Sequence, residues 1–380
     1  MSNISKVGIV IVVFLIIVSW AAKPNITNVS PTEDNDSLRQ LYARPIAEWP
    51  KPDIDSNIVY KELAALPYDT SWLLVDKEPK IKLGQLLFFD PRLSNSNQIS
   101  CSSCHDPEIG WGDARRVSLG NDHLEGTRNT PSLLNVATHK SFFWDGRAGS
   151  LESQAVNPIG THHEMNMETP LLAKKIAHID GYKPLFEAAY GKQKITLDKI
   201  LNAIAAFEGI IKSRQSRFDA FAAGQYKALT DQEIRGLDLF RRKARCMNCH
   251  NGMYFSDEQF HNIGLTYYGR KYQDLGRYEV TKDPKDVGKF RTPILRDVMK
   301  TSPWMHNGLF DNITGVINIY NSGMHMLDDK AKDKSDSLYP KTDPILRPLH
   351  LTETEKQDLV SFLNAITATQ YKMRRPELPQ

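Results

Sequence analysis

The sequence predicts an all-α fold of two helical units with long loops and an N-terminal extension. Three observations carry that prediction. Apolar residues recur at helical spacing behind capping signals, while strand signals are sparse. One five-residue pattern, C-x-x-C-H, occurs twice in 380 residues and consumes all four cysteines. A chain of this length is long for one core, so two units are expected, with a boundary near Gly224.

Residues 1–22, with Lys6 followed by an uncharged apolar run, form a cleaved signal peptide or a retained anchor. Either one exports the chain, and the expected location is the periplasm. Residues 23–75 are rich in Pro, Asn and Asp, and predict an extended arm or tether over the surface. In the first unit, 76–224, "KIKLGQLLFFDPRLS" is a helix stopped by Asp-Pro. "ITLDKILNAIAAFEGIIKSRQSRFDAF" reads as one long helix with Ile200, Ile204, Phe207 and Ile211 in a stripe. The second unit, 225–370, opens with a Thr230–Glu233 capping box ahead of Ile234, Leu237 and Phe240. It closes with a Thr352–Glu355 box ahead of Leu359, Phe362, Leu363 and Ile366. The halves repeat one plan: helix, CxxCH, long irregular stretch, closing amphipathic helix. A net charge of +3 with no basic run argues against nucleic acid as a partner.

The two motifs are "CSSCH" (Cys101, Cys104, His105) and "CMNCH" (Cys246, Cys249, His250). Four thiols in an oxidising compartment would ordinarily pair, but cysteines two residues apart are poor disulfide partners. A zinc site brings its second cysteine pair within some tens of residues; a redox pair leaves the histidines and the export signal unexplained. Covalent c-type haem accounts for every feature, with thioethers from the cysteines and the adjacent imidazole on iron.

"RNTPSLLNV", "FFWDGRAGSLESQA", "NPIGTHHEM", "FHNIGL", "FRTPILRDV" and "TSPWMHNG", with the two motifs, make Lys80–Thr367 resemble the bacterial di-haem cytochrome c peroxidases and the MauG-type di-haem enzymes. The resemblance implies two cytochrome c-like domains, one haem each. By position, Trp144 matches a tryptophan between the haems that relays electrons, Gln154 a distal-pocket glutamine, and Glu164 the glutamate that moves protons on peroxide. Splitting an O–O bond requires carrying a proton from the near oxygen to the leaving one, a task for a carboxylate held above an open iron. Taken alone, Glu164 would be an ordinary loop residue and Trp144 a core aromatic. Where many relatives carry a histidine that closes the first iron at rest, this chain has Asn121, with His123 two residues on. The first iron is therefore expected to be open unless His162 or His163 ligates it. His139 and His178 read as ordinary surface or core residues.

In the same family the second iron takes a methionine or a tyrosine as its sixth ligand. The matching position is Tyr320, with Met324 and Met326 as alternatives. His261 and His306 read as structural or near haem propionates. The resemblance also implies a calcium ion held by Asn129, Thr301 and Pro303. The expected reaction is reduction of hydrogen peroxide to water, with electrons from a small c-type cytochrome. The rivals are a MauG-like enzyme that oxidises side chains of a partner protein, and a di-haem carrier with no catalysis. Glu164 and Gln154 count against the carrier.

Overall fold

The computed structural model describes residues 31–324, 336–369 and 373–380. The 1–22 leader and Met326 lie outside them. Among the described residues no helix is long and apolar enough to cross a membrane. Among the described residues eleven α-helices run in order: α1 Pro31–Tyr42, α2 Pro79–Phe89, α3 Leu151–Gly160, α4 Thr169–Ala177, α5 Tyr182–Tyr190, α6 Leu197–Glu208, α7 Arg217–Ala222, α8 Asp231–Arg241, α9 Tyr278–Thr281, α10 Ile313–Asn321 and α11 Glu353–Ala365. The described strands, β1 Phe260–His261 and β2 Phe290–Arg291, form one antiparallel pair.

Two apolar cores result. The first gathers Leu83, Phe88, Ile200, Ile204 and Phe207 around the crossing of α2 and α6. The second gathers Leu237, Phe240, Leu359 and Phe362 around the crossing of α8 and α11. Each crossing is closed by one glycine. A Cβ on Gly84 would lie 1.9 Å from the Ala203 carbonyl oxygen, and one on Gly236 2.0 Å from that of Asp358. Phe207 and Phe362 occupy matching places beside those glycines. The repeated plan read from the sequence is thus a repeated helix crossing. Gly236→Ala is expected to cost about 1–3 kcal/mol through overpacking, read as a lower denaturant midpoint.

Three expectations need correction. The long helix expected through residues 195–221 is two helices. α6 stops at Glu208 because Asn135 captures the following loop: its backbone N donates to Ile211 O (2.8 Å) and its Oδ1 accepts from Ser213 N (3.0 Å). α7 then restarts on a Ser216–Asp219 capping box. Phe218 and Phe221 of α7 pack in the second core, although a division at Gly224 would assign them to the first unit.

Nor is the arm a tether. Tyr42, Trp49 and Leu63 are buried in the second core. The polar residues that made this segment look unstructured are partners: Tyr42 donates to Asp238 (2.8 Å), and Asp53 and Asp55 pair with Arg245 (2.8 and 2.6 Å). At the other end, residues 373–380 cross back to the first unit. Arg92 donates to Pro379 O (2.7 Å), Gly181 N to Gln380 O (2.7 Å), and Met373 and Leu378 pack on the first core.

Candidate functional site: two cavities sharing one tryptophan

Both CxxCH segments fold alike. Cys101–Ser103 and Cys246–Asn248 are single 3-10 turns, after which His105 N donates to Cys101 O (3.0 Å) and His250 N to Cys246 O (2.7 Å). Each imidazole is then anchored through Nδ1, to Trp111 O (3.1 Å) or Phe255 O (3.0 Å), and burial holds both histidines below the usual imidazole range. A neutral ring with Nδ1–H committed to a carbonyl leaves the Nε2 lone pair for a metal. None of the four cysteines is in a disulfide. Burial pushes the Cys104 thiol up to about 11 and that of Cys246 up to about 12, so neither is a free thiolate ready for exchange.

The first motif lines a cavity of about 640 Å³, together with Gln154, Glu164, His163, Arg147 and Trp144. Burial raises the Glu164 carboxyl above its ordinary value, opposed by His163 and Arg147. His163 Nε2 stands 3.9 Å from Glu164 Oε1. The second motif lines a cavity of about 260 Å³ that Tyr320, Ile317 and Leu363 help to wall. Burial raises the Tyr320 hydroxyl well above the phenol range. Met324 is fully buried but absent from that wall.

Trp144 lines both cavities. Its Nε1 donates to Asn129 O (2.9 Å), its carbonyl accepts from Arg291 N (2.8 Å), and its ring meets His306 edge to face at 6.5 Å. His306 stacks on Phe290 at 3.6 Å, and burial lowers it to about 4. Asn129, Thr301 and Pro303 line the second cavity beside Trp144.

The other histidines separate cleanly. Asn121 is buried, with its N donating to Glu164 O (2.7 Å) and its amide turned to Asp122 (2.9 Å); His123, His162 and His178 are exposed. His139 is half-buried on the wall of both cavities, 2.8 Å from Glu258 Oε1. For His261, burial is outweighed by hydrogen bonds to Asp257 (3.0 Å) and Asp343 (2.7 Å), which raise it to about 12. It lies with Asp257 near Cys249, yet as an imidazolium it is a poor metal ligand.

The cavities fit a carboxylate-bearing prosthetic group. Asn307 Nδ2 lines the first, His306 Nε2 and Arg291 Nε serve both, and all three are buried without a hydrogen-bond partner. Orphaned buried donors are costly unless an acceptor meets them. Sequence reasoning missed Arg291, Asn307 and also Glu208, a buried carboxyl on the first cavity wall that burial pushes up to about 8. Glu208 was visible as an acid four residues after Ile204, on the apolar stripe of α6.

A family model described as di-haem cytochrome c peroxidase matches residues 78–227. Methylamine utilization protein MauG of Methylophilus methylotrophus is 35% identical over 307 residues, 79% of this chain and 86% of that protein. Cytochrome-c peroxidase IdrP1 of Pseudomonas sp. (strain SCT) is 34% identical over 320 residues, 77% of this chain and 81% of the relative. The crystal structure of a MauG-like protein associated with microbial copper homeostasis aligns with TM-score 0.68 at 31% identity, covering 83% of this chain and 95% of that one.

Proposed function

This chain belongs to the di-haem cytochrome c peroxidase and MauG family, and from that premise we propose that it reduces hydrogen peroxide to water in the first cavity with electrons delivered at the second. The observation that carries this reading is Trp144 in the wall of both cavities, with Glu164 and Gln154 facing only the first. The family binds two haems. Here Cys101, Cys104 and His105 would hold one, and Cys246, Cys249 and His250 the other. When bound, haem supplies the iron at which the O–O bond is split and electrons are stored.

The protein does the rest. Glu164, ionised, takes the proton from one peroxide oxygen and returns it to the other as water leaves. Gln154 orients peroxide by hydrogen bonding. Trp144 offers the indole between the units for electron passage from a small c-type cytochrome docked outside the second unit. Asn129, Thr301 and Pro303 would give neutral oxygens to a calcium ion beside this tryptophan, a donor set that suits a hard cation. Two haem units divide the work, residues 76–224 without α7 and residues 225–370 with it, and the leader directs the chain to the periplasm.

Peroxide mixed with holoprotein and reduced cytochrome c tests the reading: rapid cytochrome oxidation is expected, and no spectral change with peroxide would leave only a carrier. A second reading, oxidation of a partner protein's side chains, draws on Tyr320 at the ligand position and Asn121 where a closing histidine would stand. Its mark is a long-lived oxidised state indifferent to cytochrome c. Tyr320→Met should raise the potential of the second iron, since thioether favours the reduced metal where phenolate favours the oxidised one. A potentiometric titration unchanged by Tyr320→Met would remove Tyr320 as the ligand.

A further inference from the structure

Resting on the peroxidase reading, we propose a second oxidation site at the rim of the first cavity: Tyr272, backed by Tyr267, draws single electrons from anionic phenols at the protein surface. Tyr272 is both a wall residue of that cavity and 41% exposed, so one side chain spans the interior and the solvent. Its ring has two cations near it, Arg116 at 5.6 Å and Lys271 at 5.0 Å from the centroid. Tyr267 meets it edge to face at 6.2 Å and is covered in turn by Arg270 at 5.2 Å. Both tyrosines are held at positive φ, +72° and +50°, a conformation bulky residues adopt only where the surroundings impose it. The loop is pinned by Gln273, whose Oε1 accepts from Gly269 N (2.6 Å).

The rim charge selects the substrate class. Arg116 pairs with Glu125 (2.7 Å), and the wall residue Glu279 pairs with Lys282 (2.8 Å). Neither Arg270 nor Lys271 pairs with a carboxylate among the described residues, and these two cations beside the tyrosines draw in anions. None of the peroxide-handling residues uses this pair. A phenol carrying a carboxylate can place its ring on Tyr272 and its charge against Lys271 or Arg270.

The balance is simple. One hydrogen peroxide gains two electrons and two protons and becomes two waters. Two phenol O–H groups each lose one electron and one proton, becoming phenoxyl radicals that couple through a new C–C or C–O bond. Tyr272 is oxidised and restored once for each phenol.

The test uses holoprotein, peroxide and ferulate, with ferulate methyl ester as the uncharged comparison and reduced cytochrome c in parallel. Tyr272→Phe keeps the ring and its cation contacts but has no O–H. It should slow ferulate oxidation about tenfold while cytochrome c oxidation is unchanged, and Tyr272→Trp should retain most of the ferulate rate. Freeze-quenched wild type should show a tyrosyl radical by EPR that narrows with ring-deuterated tyrosine and is lost in Tyr272→Phe. Added salt should slow ferulate but not its ester. Ferulate oxidation at the wild-type rate in Tyr272→Phe, or an undiminished tyrosyl signal there, overturns the proposal. Wild type that oxidises cytochrome c but not ferulate defeats this inference alone; wild type that oxidises neither defeats the peroxidase reading with it.

Discussion

Glu164→Gln is expected to lower peroxide-dependent cytochrome oxidation by about 10²–10⁴-fold, the range over which a positioned proton carrier acts. Both haem attachments should remain intact. The amide keeps the size of the carboxyl and much of its hydrogen bonding but cannot accept the proton that must leave the near oxygen. The pH profile gives a second readout. Glu164 is useful only when ionised, and burial raises its pKa. Turnover should therefore climb with pH, with its half-maximum above the ordinary carboxylate value. His163 and Arg147 both oppose that rise. Replacing His163 with Ala should move the acid limb further up in pH, as followed by kcat/KM against pH. A Glu164→Gln protein with wild-type turnover would exclude the carboxylate from the proton path.

Asp219→Ala should remove about 3–5 kcal/mol of stability, the cost of leaving a buried charge without its partner. The Asp219 and Arg296 side chains are 0% and 1% exposed and meet at 2.8 Å. The same carboxylate accepts from Leu66 N (2.7 Å), from Ser216 N and Oγ (2.6 Å each), and so joins three segments distant in sequence. Its loss strands Arg296, uncaps α7 and detaches the arm at Leu66. Urea titration of the holoprotein, followed by far-UV dichroism, should show an earlier transition. An unchanged midpoint would mean that Arg296 finds another partner.

Why the sequence disclosed some of this and hid the rest follows from the range of each signal. The capping boxes at Thr230 and Thr352 and the stripes of α6, α8 and α11 are local, and the structure has each of them. The break after Glu208 is not local. It depends on Asn135, more than 70 residues earlier, turning backbone groups out of a helix that periodicity alone would continue. The packing of the arm was hidden for the same reason. Asp53, Asp55 and the flanking Pro50, Pro52 and Asn57 carry the composition of a solvated chain until Arg245 and Asn248 are folded beneath them. Gly84 and Gly236 stood in the sequence at corresponding places in the two halves, but their purpose shows only when a second helix backbone lies against them.

By itself the sequence determined the chemistry available. Cysteines and histidine adjacent along the chain point to two prosthetic-group motifs, and the surrounding segments point to the family, because covalent spacing needs no folding to be read. What tertiary structure decided is which groups share a space. Trp144 comes to stand between two cavities, Glu164 opposite His163, Tyr320 rather than Met324 on the second wall, and Tyr272 at the rim. Those juxtapositions arise from packing between residues far apart in the chain, and burial then raises the Glu164 carboxyl and the Tyr320 hydroxyl above their ordinary values.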